Sequence, residues 1–437
     1  MEYLYVAGPN DNRGMNKRLL NAVSYQTDGI LYSLVDGLNK KDFGCLSMST
    51  VAGNINKCLY NFGEGRSFID SGGYSIIKGD IHPQHIVSAI DCWGYYAEHE
   101  IESYDHIMSL DIPVSIKFNE LNKPQKIYDY NKMSLSVLVD LIEKFPEIRE
   151  KIFFVEQFKM LPQYEIWKQL YHDLDLGQYI QNRAIGGMVG IRGVTKIKFS
   201  PFTAIAYKCL LDYMHAEEFN QQIFRIHFLG IYNIYDRFHI AILEKLFSHY
   251  LGDSITVKFS YDSAYFANSA RKNTALPVYA SDGDSMLCYE TALSVPQNIL
   301  NCVYNRSDLY HYILDEIDLR RQDNKIQNSS SFGPLNIYSN MNIDRYFERL
   351  VDEYDLVGLI VKNKSMTVVK SKLQSILADL NQNLPQLFTR HIQGAIEENI
   401  KITHKFHKWF VDSKGFDDLD ELIKLFIMRI GFPNCIN

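Results

Sequence analysis

The sequence has few of the residues that hold small or metal-bound folds together. Its 437 residues include seven cysteines, with no CxxC pair and no repeated spacing. That pattern argues against a disulfide framework and against a zinc site made of neighbouring ligands. A reduced, cytoplasmic location is therefore expected.

Long apolar runs and a basic excess are also missing. No segment has 18 unbroken apolar residues, so no membrane span is expected. The first residues, MEYLYVAGPNDNR, do not have the basic-then-apolar pattern of a signal peptide. The formal net charge of −7 gives no global basic field, so any nucleic-acid-binding surface must be local.

Short β-rich runs alternate with longer amphipathic runs through most of the chain, and 46% of the residues are hydrophobic. Strands separated by helices indicate a parallel βα fold, and about eight strands predict a (β/α)8 barrel of the TIM type. The rival is a doubly wound open sheet, which lacks its Gly-rich fingerprint after the first strand. The predicted strands are Tyr3–Ala7, Cys45–Thr50, Phe68–Asp70, His106–Asp111, Ile152–Gln157, Ala184–Val189, Ile226–Ile231 and Thr256–Asp262.

The character of the sequence changes after about residue 280. We predict a barrel over residues 1–285 and a mainly helical C-terminal region over 286–437, a candidate DNA clamp. Helical patterns in that region cover Ile343–Tyr354, Ser371–Leu380, Leu384–Trp409 and Leu419–Ile430.

The C-terminal region contains the most basic stretch of this acidic chain. Val357–Lys408 has eight Lys or Arg residues against three acidic ones. Lys401, Lys405 and Lys408 fall on one helical face and Trp409 follows, which makes them candidates for contact with DNA phosphates. A solvated helical face is the more common interpretation of such a run.

Polar or glycine residues stand at the ends of several predicted strands. Because strand C-termini of a barrel converge on one mouth, these groups are expected to share a pocket. Two carboxylates facing a sugar carbon can divide the roles of nucleophile and acid/base, while a further carboxylate and an amide can recognise a flat heterocycle. The groups are Asp70 with the Ser71-Gly72-Gly73 turn and Tyr74, then Asp111, Gln157, Gly186 with Gly187, and Asp262.

Each of these groups also has an ordinary structural interpretation. Asp70 and Asp111 suit helix caps, and Gln157 suits a satisfied core amide. The glycine pair Gly186-Gly187 suits a packing turn or a phosphate cradle. The set in this order is more specific than any member.

The same residues resemble the motifs of the tRNA-guanine transglycosylase superfamily over roughly Cys45–Tyr312. The run SFIDSGGYSIIKGD resembles the family's DSGG motif, and the other pieces follow in the family's order. They are MSLDIP, VEQF, IGGMVG, RIHFLGI and SYDSA. VEQF departs from the pattern, since Phe158 stands where the family has glycine.

The resemblance implies a base exchange at a nucleoside. Asp262 would be the nucleophile that attacks C1′, and Asp70 the general acid/base. Asp111 and Gln157, with the backbone around Gly187, would hold the purine or 7-deazapurine edge. Tyr74 would stack on the base, next to the glycine turn that lets a flat ligand approach.

One departure concerns metal. Bacterial and archaeal tRNA enzymes of the family have a Cys-x-Cys-x2-Cys…His zinc site after the nucleophile, whereas Cys288, Cys302 and His311 form no such set here. No zinc and no other cofactor is therefore expected. The pattern is more similar to the DpdA-type DNA 7-deazaguanine transglycosylases, in particular the shorter ones of phages. The implied partners are DNA and a free 7-deazaguanine base such as preQ0, with the target guanine flipped out of the duplex.

Three other functions remain open from the sequence. The first is a tRNA-guanine transglycosylase without zinc, acting on RNA. The second is a glycoside hydrolase using two carboxylates. The third is a non-enzymatic nucleic-acid-binding subunit, against which the presence of both Asp70 and Asp262 argues.

Overall fold

Eight parallel strands close into a barrel in a computed structural model of the chain. Each strand pairs with the next in sequence, and the last pairs with the first through Leu4 and Asp262. The predicted (β/α)8 fold is therefore confirmed. The structure describes residues 1–7, 20–34, 48–62, 65–113, 118–157, 161–186, 202–215, 222–263, 265, 277–282, 285–304, 311, 314–315, 318, 332–383 and 386–412.

Strands and helices alternate along the barrel. The barrel strands are β1 Glu2–Ala7, β2 Gly29–Ser33, β3 Arg66–Asp70, β4 His106–Met108, β5 Ile152–Gln157, β6 Asn182–Gly186, β7 Ile223–Phe228 and β8 Thr256–Asp262. The helices between them are α1 Met48–Phe62, α2 Gly73–Lys78, α3 Ile86–His99, α4 Pro124–Lys144, α5 Leu161–Asp173, α6 Phe202–His215 and α7 Ile234–Leu251.

One strand was placed wrongly from the sequence. Met48–Thr50 of the predicted strand Cys45–Thr50 begins helix α1, and the second strand is Gly29–Ser33. Its apolar part is only Ile30, Leu31 and Tyr32 between polar or small residues, which is too short for a periodicity signal. The strand expected over His106–Asp111 also ends early, at Met108.

The barrel interior is a packed core below the mouth. Alternate residues of a strand point to opposite faces, so one set lines the interior and the other packs under the helices. Phe68 contacts the rings of His106 and Phe153 at centroid distances of 4.6 and 5.6 Å, and those two rings also contact each other. The His227 ring is 6.0 Å from Phe68 across the barrel. These rings close the barrel from below, so the open end carries the polar strand ends.

In the described part of the chain beyond the barrel, the structure has a hairpin and five α-helices that are described along their length. They are β9 Val278–Asp282, β10 Ser285–Tyr289, α8 Gln297–Tyr304, α9 Gly333–Glu353, α10 Leu356–Val361, α11 Met366–Asn383 and α12 Gln386–Asp412. The predicted helices at 343–354, 371–380 and 384–409 overlap α9, α11 and α12, while 419–430 lies outside the described residues. None of the described helices is long and apolar enough to cross a membrane.

The C-terminal helices share a core with the last barrel helix. Phe238, Ala241 and Ile242 of α7 are buried together with residues of α9, α10, α11 and α12. The region expected to act as a clamp is thus packed directly on the barrel. The division at residue 285 remains a prediction.

Two ion pairs join α7 to α9 in very different surroundings. Arg237 donates from Nε to Asp344 Oδ1 at 2.8 Å, and both side chains are buried. Tyr261, the residue before Asp262, donates its hydroxyl to the other oxygen of Asp344. Two turns further along α7, Lys245 pairs with Asp352 at 2.9 Å on the surface.

We expect Asp344→Ala to lower the free energy of unfolding by about 3–5 kcal/mol, because it leaves Arg237 buried without its counter-charge. Asp352→Ala is the matched control, since it breaks an exposed pair between the same two helices and should cost less than about 1 kcal/mol. Urea unfolding of both variants measures the difference. Equal effects would contradict the assigned role of the buried pair.

Candidate functional site

Four of the predicted groups occupy the last inward-facing position of their strands: Asp70, Gln157, Gly186 and Asp262. Asp70, Gln157 and Gly186 each come two residues after an interior side chain, namely Phe68, Val155 and Ala184. Strand alternation therefore turns all three toward the barrel axis at the mouth.

Asp262 reaches the same level from β8. Its Oδ1 accepts hydrogen bonds from His227 Nε2 at 3.1 Å and from the backbone N–H of Gly230 at 2.9 Å. Both bonds go to the same oxygen, and within the described residues Oδ2 has no hydrogen-bond partner. About 10% of the side chain is exposed. The carboxylate is held on one side and open on the other.

His227 is fixed from below by a second hydroxyl contact. Its Nδ1 lies 2.9 Å from Ser260 Oγ, and the imidazole is fully buried. Neutral imidazole protonated on Nε2 satisfies both contacts, since Ser260 then donates to Nδ1 and Nε2–H donates to Asp262. A hydrolase triad needs its serine exposed to substrate, with the acid behind. Here the acid is outermost, so the chain Ser260–His227–Asp262 supports a carboxylate and not a serine nucleophile.

The DSGG turn packs against Asp111. Ser71 donates its hydroxyl to Asp111 Oδ1 at 3.2 Å. Gly72 has a φ of 90°, in the region that favours glycine. A Cβ on Gly73 would lie 2.6 Å from the same carboxylate oxygen, so no larger residue fits there. The turn and Asp111 thus form one unit, although they follow two different strands.

Asp111 is buried with one oxygen unused. Its Oδ2 has no hydrogen-bond partner in the described part of the chain. Burial raises the pKa of this carboxyl to about 7, because a low-dielectric environment disfavours the charged form. An unsatisfied buried acceptor is costly for folding, which is typical of groups kept for a ligand.

Gln157 and Gly186 lie side by side on neighbouring strands. They are register partners, and the Gln157 carbonyl accepts a hydrogen bond from Trp167 Nε1 at 2.6 Å. A Cβ on Gly186 would meet Gln157 Cβ at 3.4 Å, so packing alone does not demand glycine there. Gly187, Phe158 and the Tyr74 side chain lie outside the described residues.

The two carboxylates predicted to be catalytic belong to the same end of the barrel. Asp70 follows Phe68 by two residues, and Asp262 binds His227. Because the Phe68 and His227 rings approach across the interior, both carboxylates stand above the same pair of rings. Asp70 and Asp262 thus end their strands at the same mouth, where Gln157 and Gly186 end two of the intervening strands and Asp111 follows β4.

The described residues include no group of three or more His, Cys, Asp or Glu side chains placed to hold a metal. Cys288 is half-buried, and Cys302 is exposed. The absence of zinc stays a prediction, since part of the chain lies outside the described residues.

The predicted phosphate contacts on α12 differ in their surroundings. Lys405 and Lys408 are exposed. Lys401 is half-buried and paired with Glu397 one turn earlier, and Trp409 packs against the barrel core. Lys405 and Lys408 are thus the most accessible of the four, although they flank His407, which contacts Tyr250 at the end of α7 away from the barrel mouth. Trp409 already has a packing role.

Sequence reasoning missed His227 and Ser260. Both lie within apolar strands. A polar residue at an inward-facing strand position is the sequence signal that could have identified them. Their significance depends on the pairing of β7 with β8, which puts His227 beside Ser260.

Comparison with protein-family models and with curated proteins found no match to this chain.

The pKa of Asp111 makes folding stability depend on pH. The folded state keeps its proton in a range where the unfolded chain has released it, so stability falls as pH rises from about 4 to about 7. We expect Asp111→Asn to be more stable than the unchanged protein at pH 8, by up to about 4 kcal/mol, and equally stable near pH 4. Urea unfolding at both pH values measures this.

The exposed Asp140 on α4 offers a matched control. Asp140→Asn should stay within about 0.5 kcal/mol of the unchanged protein at either pH. If Asp111→Asn gave the same difference at pH 4 and pH 8, the assigned state of the Asp111 carboxyl would be wrong.

Proposed function

We propose that this protein is a DNA base-exchange enzyme. It replaces guanine in DNA with a 7-deazaguanine through a covalent glycosyl-enzyme intermediate. The observation that carries the proposal is the arrangement at the barrel mouth: an oriented carboxylate, Asp262, opposite Asp70, with the buried Asp111 behind the DSGG turn. The order of the motifs along the chain supports the same reaction.

Asp262 is the nucleophile in this mechanism. Its free Oδ2 forms a bond to C1′ of the target nucleoside as the bond from C1′ to N9 of guanine breaks. The bonds from His227 and Gly230 to Oδ1 hold the carboxylate in place. Attack on C1′ needs a nucleophile fixed in position, so this support bears directly on the rate.

Asp70 moves the proton. It donates a proton to the departing guanine and then takes one from N9 of the incoming 7-deazaguanine. That nitrogen attacks C1′ and releases Asp262. One bond to C1′ is exchanged for another, no water is consumed and the phosphodiester chain is untouched. A positioned carboxyl that alternates between acid and base serves both halves of such a reaction.

Asp111 and Gln157 recognise the base. The edge of guanine and of 7-deazaguanine presents N–H donors at N1 and at the 2-amino group. The unused Oδ2 of Asp111 is an acceptor for them, and the Gln157 amide both donates and accepts. With a pKa of about 7, Asp111 binds these donors best when ionised, so base binding should strengthen as pH rises through 7.

The choice of DNA follows from the likeness to the DNA-modifying branch of the superfamily. In duplex DNA the target guanine has to be flipped into the pocket. The exposed Lys405 and Lys408 on α12 flank His407, which contacts Tyr250 at the end of α7 away from the barrel mouth, so they are suited to phosphates of the flanking duplex and not to those beside the target guanine.

The two carboxylates can be separated by trapping. We expect Asp262→Asn to abolish both the covalent adduct with guanine-containing DNA and all exchange. Asp70→Asn should lose turnover while still binding DNA and the free base. Denaturing gels of each variant, with and without a 7-deazaguanine, show the adduct as a shifted band.

An adduct formed by Asp262→Asn would reassign the nucleophile, and Asp70 would take its place. The same assay with tRNA in place of DNA tests the substrate. Adducts on tRNA and none on DNA would overturn the DNA assignment while leaving base exchange intact.

His227 gives a third test with a matched pair of substitutions. His227→Leu removes the donor to Asp262 at similar volume, and we expect kcat to fall about 10- to 100-fold, the cost of a lost hydrogen bond to a charged group. His227→Gln keeps a donor and should retain more activity. KM for DNA should change little in both. Equal losses in the two variants would mean that His227 acts only through packing.

A further inference from the structure

Two exposed tyrosines touch each other at the barrel mouth. The rings of Tyr232 and Tyr265 are 5.0 Å apart at an interplanar angle of 32°. Tyr232 is 40% exposed and Tyr265 is 51% exposed. Neither ring belongs to the hydrophobic clusters formed by the described residues.

The pair stands directly beside the predicted nucleophile. Tyr232 comes two residues after Gly230, whose N–H holds Asp262, and Tyr265 comes three residues after Asp262 itself. A three-residue segment spans at most about 10 Å. Both residues therefore lie close to Asp262, in the loops that follow β7 and β8 at the rim of the mouth.

Exposed aromatic pairs are unusual on a surface without a ligand, since each ring offers a large apolar face to water. Nucleic-acid bases are flat and stack on such faces with little regard to sequence. Flipping one nucleotide out of a duplex removes the stacking of its neighbours. A pair of aromatic rings at the rim of the pocket can replace the lost base stacking with stacking on the protein.

We infer that Tyr232 and Tyr265 form a stacking platform for the DNA strand next to the target guanine. The inference rests on the proposed function, because it takes the sugar of the target to lie at Asp262. The adjacent nucleotide of the same strand then lies within reach of the two rings. The platform binds the base beside the target and leaves the reacting base to the pocket of Asp111 and Gln157.

The experiment uses DNA in which 2-aminopurine stands beside the target guanine. The fluorescence of 2-aminopurine is quenched when it stacks on an aromatic ring. The double variant Tyr232→Ala/Tyr265→Ala should lose the quenching and bind the DNA about 5- to 100-fold more weakly. The exchange rate at saturating DNA should stay within about twofold. Tyr232→Phe/Tyr265→Phe keeps both ring faces and should behave as the unchanged protein. Tyr60→Ala is the control, since Tyr60 is an 85% exposed tyrosine on α1.

Unchanged quenching and binding in the double alanine variant would overturn the inference. A change in oligomeric state with unaltered DNA binding would also overturn it, and would assign the pair to a protein contact. Measurements on the unchanged protein distinguish a failure of the stacking platform from a failure of the proposed function. If it quenches 2-aminopurine through the two tyrosines but exchanges no base, the platform stands and the base-exchange proposal fails.

Discussion

In a closed barrel of parallel strands every second residue must point inward, and the interior has room for only a few layers of side chains. Here the lower layer is filled by rings, with Phe68, His106, Phe153 and His227 forming one contiguous cluster. The last inward positions at the C-terminal ends of the strands are Asp70, Gln157, Gly186 and Asp262. The polar groups therefore meet because the strands pair in this register, and the rings below exclude water from that side.

The same constraint explains why Asp262 is so well supported. His227 lies one layer below Asp262 on the neighbouring strand β7. Ser260 is the inward-facing residue that precedes Asp262 on β8. Asp111 shows the opposite situation, since it is buried and receives one side-chain hydrogen bond from the described residues, that of the Ser71 hydroxyl. One carboxylate receives two hydrogen bonds on a single oxygen, whereas burial raises the pKa of the other to about 7. Two carboxyl groups with different surroundings are what a site needs to divide nucleophilic attack from base recognition.

The fold and the ends of the strands were accessible from the sequence because they depend on local patterns. Asp70, Gln157 and Asp262 each end an apolar run, and that signal is contained in a few consecutive residues. The strand Gly29–Ser33 was missed because three apolar residues give no periodicity. The contact between His227 and Asp262 needs the register of β7 against β8, and the buried pair Arg237–Asp344 joins residues 107 positions apart. Neither is encoded in any short segment, since both follow from tertiary packing.

The most direct test of base exchange is mass spectrometry of nucleosides. Duplex DNA is incubated with the protein and 7-cyano-, 7-formamidino- or 7-aminomethyl-7-deazaguanine, then digested. The account predicts a 7-deazaguanine deoxynucleoside, one free guanine for each base inserted, and strands that remain intact. Release of guanine with abasic sites and no inserted base would identify a hydrolase. No product with any of the three bases would contradict the proposed reaction.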